Sequence, residues 1–354
     1  MHLSISKKIL AWYQKYQRDL PWRKYKNQKD RHYKVLLSEF MLQQTQVKTA
    51  LPFFNNFYKK INSLEKLSKT SQAKVNKLWQ GLGYYRRAKF LLETSKIIKK
   101  KYNYKLPSQY EDLIALPGIG DYTAKAILSI AFDKNEIGID GNVERVVTRI
   151  FNISGKKKIL KYVERLKVEK KASFIMQGLM ELGALICKPK LPLCSDCFLN
   201  KNCKYSLDKK FNLDKKVKAE KKIKKFIAII FRKNKKILLR YEKSLGPLNK
   251  FLNVPLVPEI SKDNHNYKKI LKNIKNFQNL GILNISISNF KAEILCLETK
   301  KMIKVNRPYY FMNATELKSK FISSFLKKIL QLKSLKEFLQ NSLVMFKKNI
   351  LILR

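Results

Sequence analysis

The sequence predicts an all-α domain followed by a smaller α+β domain, on three observations. From residue 4 to about residue 205, apolar side chains recur at helical spacing. Pro52, Gly81, Gly83, Pro107, Pro117, Gly118 and Gly120 punctuate the pattern, as residues that stop or turn helices do. Residues 208–224 (DKKFNLDKKVKAEKKIK) are lysine-rich with few large apolar positions, which reads as a solvated linker. Beyond them, Phe226 to Phe231 (FIAIIF) and Ile237 to Leu239 are short apolar runs separated by RKNKK, the pattern of a β-hairpin. A chain of 354 residues is comfortable as two domains, and 45% hydrophobic composition gives each a core. The expected division is 1–207, a basic linker over 208–223, and 224–354.

Taken in order, Met1 to Leu20 reads as an amphipathic helix with Ile5, Ile9, Trp12, Tyr13 and Tyr16 near one face. It has neither the apolar stretch nor the cleavage site of a signal peptide. Glu39 lies in a helix whose apolar face includes Leu36, Phe40 and Leu42, and by that pattern alone it belongs on the surface. Ser108 and Glu111 have the spacing of a capping box opening a helix over Gln109–Leu116. After the turn that follows, Asp121 is expected to cap the next helix. Asp140 is placed to cap another, in which Val143, Val146, Val147 and Ile150 fall on one side. In the second half, Ile285 and Ile287 alternate with serines, Glu293 to Leu297 reads as a strand, and residues 315–340 return to helix. There is no internal repeat.

Lys and Arg total 76 against 26 Asp and Glu, a formal charge of +50. Such a field draws polyanions, so nucleic acid is the first partner to consider. Abundant Lys, Asn, Ile, Tyr and Phe with few Gly and Pro is also what an A/T-rich gene encodes, so charge alone does not decide the matter. No apolar run approaches the roughly 20 residues needed to span a bilayer. The expectation is a soluble, cytoplasmic protein that works without a membrane.

Three constellations carry chemistry. Cys187, Cys194, Cys197 and Cys203 follow C-x6-C-x2-C-x5-C, while the chain has one other cysteine, Cys296. Four soft sulfur donors within one loop suit zinc or an iron–sulfur cluster, and ligand chemistry alone does not choose between them. The run Leu116-Pro-Gly-Ile-Gly-Asp-Tyr-Thr-Ala-Lys-Ala-Ile127 reads as helix, glycine-rich turn, helix: a helix-hairpin-helix. Gly118 and Gly120 let the backbone turn tightly and approach a phosphate, whose charge the free N–H groups of the second helix favour. The carboxylates of Glu39 and Asp140 complete the set. His2, His32 and His265 sit in no motif.

Together these stretches resemble the MutY-type adenine DNA glycosylases of the helix-hairpin-helix, endonuclease III superfamily. LPWR (20–23), SEFMLQQTQV (38–47), WQGLGYYRRA (79–88), LPGIGDYTA (116–124), IDGNVERV (139–146) and MELGALIC (180–187) match in order, and the four-cysteine loop follows. The resemblance implies an all-α glycosylase domain with a 4Fe–4S cluster on the four cysteines, then a Nudix-like domain that recognises 8-oxoguanine. Tyr122 stands where endonuclease III has its lysine nucleophile, which implies a monofunctional enzyme without lyase activity.

The implied reaction removes adenine paired with 8-oxoguanine or guanine in base excision repair. The base is flipped out of double-stranded DNA and the glycosidic bond is cut between two carboxylates. Glu39 would be the general acid at adenine N7, which requires it protonated near neutrality. Asp140 would stabilise the oxocarbenium ion, with Tyr122 and Asn142 supporting the pair. Gln44 and Tyr84 match residues that wedge into the duplex around 8-oxoguanine. In the second half, Leu252-Asn-Val-Pro255 falls where the family has a Trp-x-Phe-Pro-like element, and no acidic hydrolase box is present. Ser288 and Asn289 fall where many members have Ser-His, so Ser288 keeps a hydrogen-bonding group while the usual histidine is replaced. The enzyme is expected to be a monomer of bacterial type, associated with the nucleoid. Two rivals are a thymine- or pyrimidine-specific glycosylase/lyase and a non-catalytic cluster-bearing DNA-binding module.

Overall fold

The computed structural model describes residues 2–207, 222–234, 236–241, 252–259, 265–287, 290–300, 308–313, 316–317 and 324–332. The chain divides into two compact units, Met1–Lys215 and Lys216–Arg354.

The first unit is helical. Its α-helices are α1 (His2–Tyr16), α2 (Gln28–Leu42), α3 (Val47–Lys60), α4 (Leu64–Ser68), α5 (Gln72–Trp79), α6 (Arg86–Tyr102), α7 (Tyr110–Ile114), α8 (Asp121–Phe132), α9 (Gly141–Phe151), α10 (Lys156–Leu166), α11 (Ala172–Leu185) and α12 (Lys204–Leu207). α2 is the axis of one group, packed against α3, α6 and α8; in the other, α1 and α9 pack on α11 and α10 packs on α1 and α9, while α8 touches α11 between the groups. α2 starts where the Asn27 side chain accepts the Asp30 N–H. From Tyr33 to Met41 every one of its residues is buried, so it presents no solvent face at Glu39.

Several local expectations are corrected. Ser108 and Glu111 form no capping box: α7 begins at Tyr110 after Gln109, without a side-chain cap. Gly120, not Asp121, is the cap of α8, and Asp121 is its first residue, paired with Lys125. Pro52 lies inside α3 rather than ending it. Pro52 and Lys48 are both exposed, so the carbonyl that a proline leaves unpaired one turn back is open to water. In α1, Ile5, Ile9 and Tyr13 are buried as expected, but Tyr16 is exposed and Trp12 only half-buried, stacked on Phe198 of the cysteine loop.

The second unit is built on a mixed sheet: β1 (Lys222–Lys233), β2 (Lys236–Tyr241), β3 (Leu252–Asn253), β4 (Leu256–Pro258), β5 (Gln278–Ile287), β6 (Phe290–Thr299) and β7 (Tyr309–Met312). The order is β3-β2-β1-β6-β5, with β4 on β1 and β7 on β2. The hairpin of β1 and β2 and the strands around Ile285 and Glu293 are found where the residues placed them, although β1 begins two residues before the expected end of the linker. β1 runs parallel to β6 and is covered on both faces. Phe226, Ala228 and Ile230 join the cluster of helix α14 (Ser324–Ile329), whereas Ile227 and Ile229 join that of α13 (His265–Lys272). Coverage on both faces explains why FIAIIF is an unbroken apolar run rather than an alternating one. Of the helix expected over 315–340, 324–329 is helical; most of the remainder, like Ser288 and Asn289, lies outside the described residues.

Candidate active site

Glu39 has 5% of its surface exposed. Its carboxyl is pushed up to about 7, first by burial and then by the charge of Asp140, with a hydrogen bond from Tyr122 acting in the opposite sense. The Tyr122 hydroxyl stands between that carboxyl and the Met180 sulfur, 3.8 Å away.

Asp140 caps α9. Its Oδ1 accepts the backbone N–H groups of Asn142 (2.9 Å) and Val143 (2.7 Å), and its Oδ2 accepts the Asn142 side-chain amide (2.8 Å). Gly138 allows this approach, because a Cβ there would lie 2.9 Å from the Tyr122 carbonyl and 3.0 Å from its ring. The bonding continues away from Asp140. Arg145 Nη2 donates to the Asn142 side-chain oxygen (2.8 Å), and its Nε donates to the Cys187 carbonyl (2.8 Å). Glu39, Tyr122, Asp140 and Asn142 are thus brought together from three helices.

A cavity of about 60 Å³ opens beside Glu39. Trp22, Leu42 and Met180 supply apolar walls, and Arg18, Arg23 and Glu181 supply charge. Glu181 is buried on α11 and paired with Arg18 at 2.6 Å and Arg23 at 2.8 Å. Arg23 and Glu181 lie within the matching stretches LPWR and MELGALIC, but periodicity singles out neither. The signal was present: one carboxylate in the apolar helix ASFIMQGLMELGAL needs a cationic partner once buried.

Gln44 and Tyr84 are exposed, and both adopt left-handed backbone with φ of 56° and 48°. In the helix-hairpin-helix turn only Gly118 needs its missing side chain. Its φ is +81°, and a Cβ would lie 2.9 Å from Phe40 and Phe90. Gly120 is extended, and a Cβ there would meet nothing within 4 Å, which corrects the expectation that both glycines serve the turn.

Cys187, Cys194, Cys197 and Cys203 are free thiols in one neighbourhood, where the other three all bear on Cys197, raised to about 11 chiefly by burial. Arg149, buried in α9, donates to the Cys187 sulfur at 3.3 Å and to the carbonyls of Lys188 and Pro189. Among the described residues no group of three or more His, Cys, Asp or Glu stands at metal-holding distance. The donor set itself suits a soft metal centre: four sulfurs, with a guanidinium beside one of them.

A helix-hairpin-helix turn next to a buried glutamic acid and a helix-capping aspartate defines a class, that of the helical DNA N-glycosylases. Residues 37–170 match the HhH-GPD superfamily base excision DNA repair protein family. An adenine DNA glycosylase of Buchnera aphidicola subsp. Schizaphis graminum (strain Sg) is 35% identical over 315 residues, 85% of this chain and 79% of the relative. That of Buchnera aphidicola subsp. Acyrthosiphon pisum (strain APS) is 34% identical over 349 residues, covering 82% and 98%. The Mus musculus adenine DNA glycosylase is 38% identical over 208 residues, 55% of this chain and 40% of its own length. Among solved structures, a thermostable thymine-DNA glycosylase superposes with a TM-score of 0.53 at 27% identity, over 58% of this chain and 96% of that one. A trapped endonuclease III–DNA intermediate shares the fold, with a TM-score of 0.51 at 19% identity over 58% and 97%. The chain belongs to the adenine DNA glycosylase family. No helix among the described residues is long and apolar enough to cross a membrane.

Proposed function

We propose that this chain excises adenine from duplex DNA where it faces 8-oxoguanine or guanine, as a monofunctional glycosylase acting as a monomer. The observation that carries the reading is Glu39: a buried carboxyl held at about 7 beside a second carboxylate. Near neutrality such a group can still give up a proton, here to N7 of the extruded adenine, so that the base leaves as a neutral species. Asp140 receives three N–H donors and faces the sugar, where its charge stabilises the developing oxocarbenium ion until water adds. Arg18, Arg23 and Glu181 line the same cavity as Glu39 and would offer polar partners to a base held there. Gly120 leaves the first turn of α8 open to a DNA phosphate. Tyr122 stands where endonuclease III has its lysine nucleophile, so that position offers no amine for a lyase step.

Cys187, Cys194, Cys197 and Cys203 would hold a 4Fe–4S cluster, which would crosslink their loop. Lesion preference would belong to the Nudix-like second unit, with Ser288 and Asn289 as its polar readers. The test is single-turnover base release from A:8-oxoG, A:G and T:G duplexes, by the full chain and by a chain ending at Lys215. The full chain should release adenine from the first two, leave T:G intact and cut no strand without alkali. The shortened chain should keep A:G activity but lose preference for A:8-oxoG. Release of thymine, or strand cleavage without alkali, would sink the assignment. An unchanged preference in the shortened chain would remove the second unit from lesion reading.

A further inference from the structure

We propose that Arg87 is a positioning residue that fixes Gln44 and Tyr84, before DNA arrives, as a paired wedge aimed into the duplex. The inference rests on the glycosylase reading above. Arg87 occupies the first turn of α6, is 6% exposed and makes no ion pair among the described residues. Its guanidinium bonds to two separate loops. Nη1 donates to the carbonyls of Phe40 (3.1 Å), Met41 (2.7 Å) and Gln43 (2.5 Å). Nη2 donates to the Thr45 hydroxyl (3.1 Å) and the Gly83 carbonyl (3.1 Å), and Nε to the Tyr84 carbonyl (3.4 Å). The same group lies 5.5 Å from the Trp79 ring and 5.4 Å from that of Tyr84.

The chemistry fits one purpose. Phe40 and Met41 are in the last turn of α2, where carbonyls lack helical partners and the helix end favours a cation. A planar fork with five N–H groups can serve two loops at once, as a lysine ammonium cannot. Burying a cation without an acid is unfavourable, and burial lowers this guanidinium to about 10, though it remains charged at neutrality. The expense holds in place two residues that contribute nothing to the core. Gln44 and Tyr84 are exposed, and left-handed backbone is disfavoured for both. Here the strain is held by the bonds of Arg87 at an exposed edge, which fits a contact arranged beforehand. Tyr84 offers a ring that can stack on a base, and Gln44 a group that can donate and accept beside it.

The test uses the full chain and a duplex with adenine opposite 8-oxoguanine, together with one in which 2-aminopurine replaces that adenine. Arg87→Lys should melt within a few degrees of the parent, release adenine at least tenfold more slowly and show a smaller fluorescence rise on base extrusion. Its pH profile should be unmoved, because Arg87 does not touch Glu39. Adding Tyr84→Ala should cost at least tenfold in the parent but less than threefold in Arg87→Lys. A normal fluorescence rise in Arg87→Lys, or costs that simply multiply, would overturn the proposal. Hydrogen exchange of the parent gives a readout that needs no variant. The Thr45 and Arg87 amides, bonded to the Leu42 and Tyr84 carbonyls, should exchange slowly in the free protein; open-chain exchange until duplex is added would also overturn it. A parent chain that released no adenine from any duplex would refute the glycosylase reading, while the exchange result would still decide whether the two loops are preset.

Discussion

The two carboxyl groups at the centre of the first unit have the same chemistry and opposite surroundings. Glu39 lies in the middle of a helix with no exposed face, where burial and its neighbour's charge both favour keeping a proton. Asp140 lies at the start of a helix and accepts two backbone N–H groups and a side-chain amide, as an ionised carboxylate does. Position within a helix therefore sets the surroundings: a mid-helix site can be dried, and a helix start presents donors.

The largest break in this asymmetry should come from Asp140→Asn. Asparagine still caps a helix, so melting and duplex binding should change little. Adenine release should fall by about 10³-fold, the scale of losing a preorganised charge at a developing cation. A loss below tenfold would mean that Asp140 is a cap and no more. Glu39→Gln should cost about 10²-fold as the loss of a general acid. In the parent, release should decline as pH rises through about 7, because protonated Glu39 is the active form; in the variant that decline should vanish. The same shift has a stability consequence. A carboxyl raised from 4.5 to about 7 contributes stability that is complete below 4.5 and lost as pH rises through about 7. The loss is on the order of 3 kcal/mol. Melting temperature should therefore fall more steeply between pH 4.5 and 8 in the parent than in Glu39→Gln, and parallel curves would refute a buried titrating Glu39.

The two carboxyl groups were not equally legible in the sequence. The cap role of Asp140 could be read from Asp-Gly-Asn before an apolar-periodic run, and the structure has that cap. Glu39 read as a surface residue, because apolar periodicity shows one face of a helix and not how many neighbours surround it. The resemblance marked Glu39; its burial follows from the packing of α3, α6 and α8 around α2. Strand runs such as FIAIIF were plain for a related reason, since burial on both faces leaves no polar alternation to misread. The capping box at Ser108 failed because spacing shows which side chains could reach a helix end, while the helix itself began at Tyr110. Arg23 and Glu181 were missed because their meaning lies in a pair 158 positions apart, by subtraction of their numbers, brought together at 2.8 Å.

A smaller effect should follow from Asn142→Ala, which removes one of the three donors to Asp140 and the bond to Arg145. One hydrogen bond to a charged group is worth about 1.5 kcal/mol, or roughly tenfold in rate. Single-turnover release should fall by that factor with its pH profile unmoved. A shift of the decline near pH 7 would mean that Asn142 also acts on Glu39, and the two carboxyl environments would not be separable.

The smallest change should come from Tyr122→Phe, and it is the sharpest test of how the two surroundings are joined. The Tyr122 hydroxyl bonds to Glu39 and lowers its affinity for a proton, against burial and the charge of Asp140, which raise it. Removing only that oxygen leaves the ring and backbone contacts with Gly138 in place, so the loop leading to Asp140 should hold its position. Glu39 should then keep its proton to higher pH. The decline in release should move in the alkaline direction from about 7, and the rate at pH 6, where Glu39 is already protonated, should drop only a few-fold through looser aim of the acid. The ratio of variant to parent should accordingly rise between pH 6 and pH 8. A decline that stays in place would show that the hydroxyl orients Glu39 without acting on its ionisation. A decline displaced towards acid would show that the hydroxyl favours the protonated carboxyl, and burial with the Asp140 charge would then not be the whole cause of its raised value.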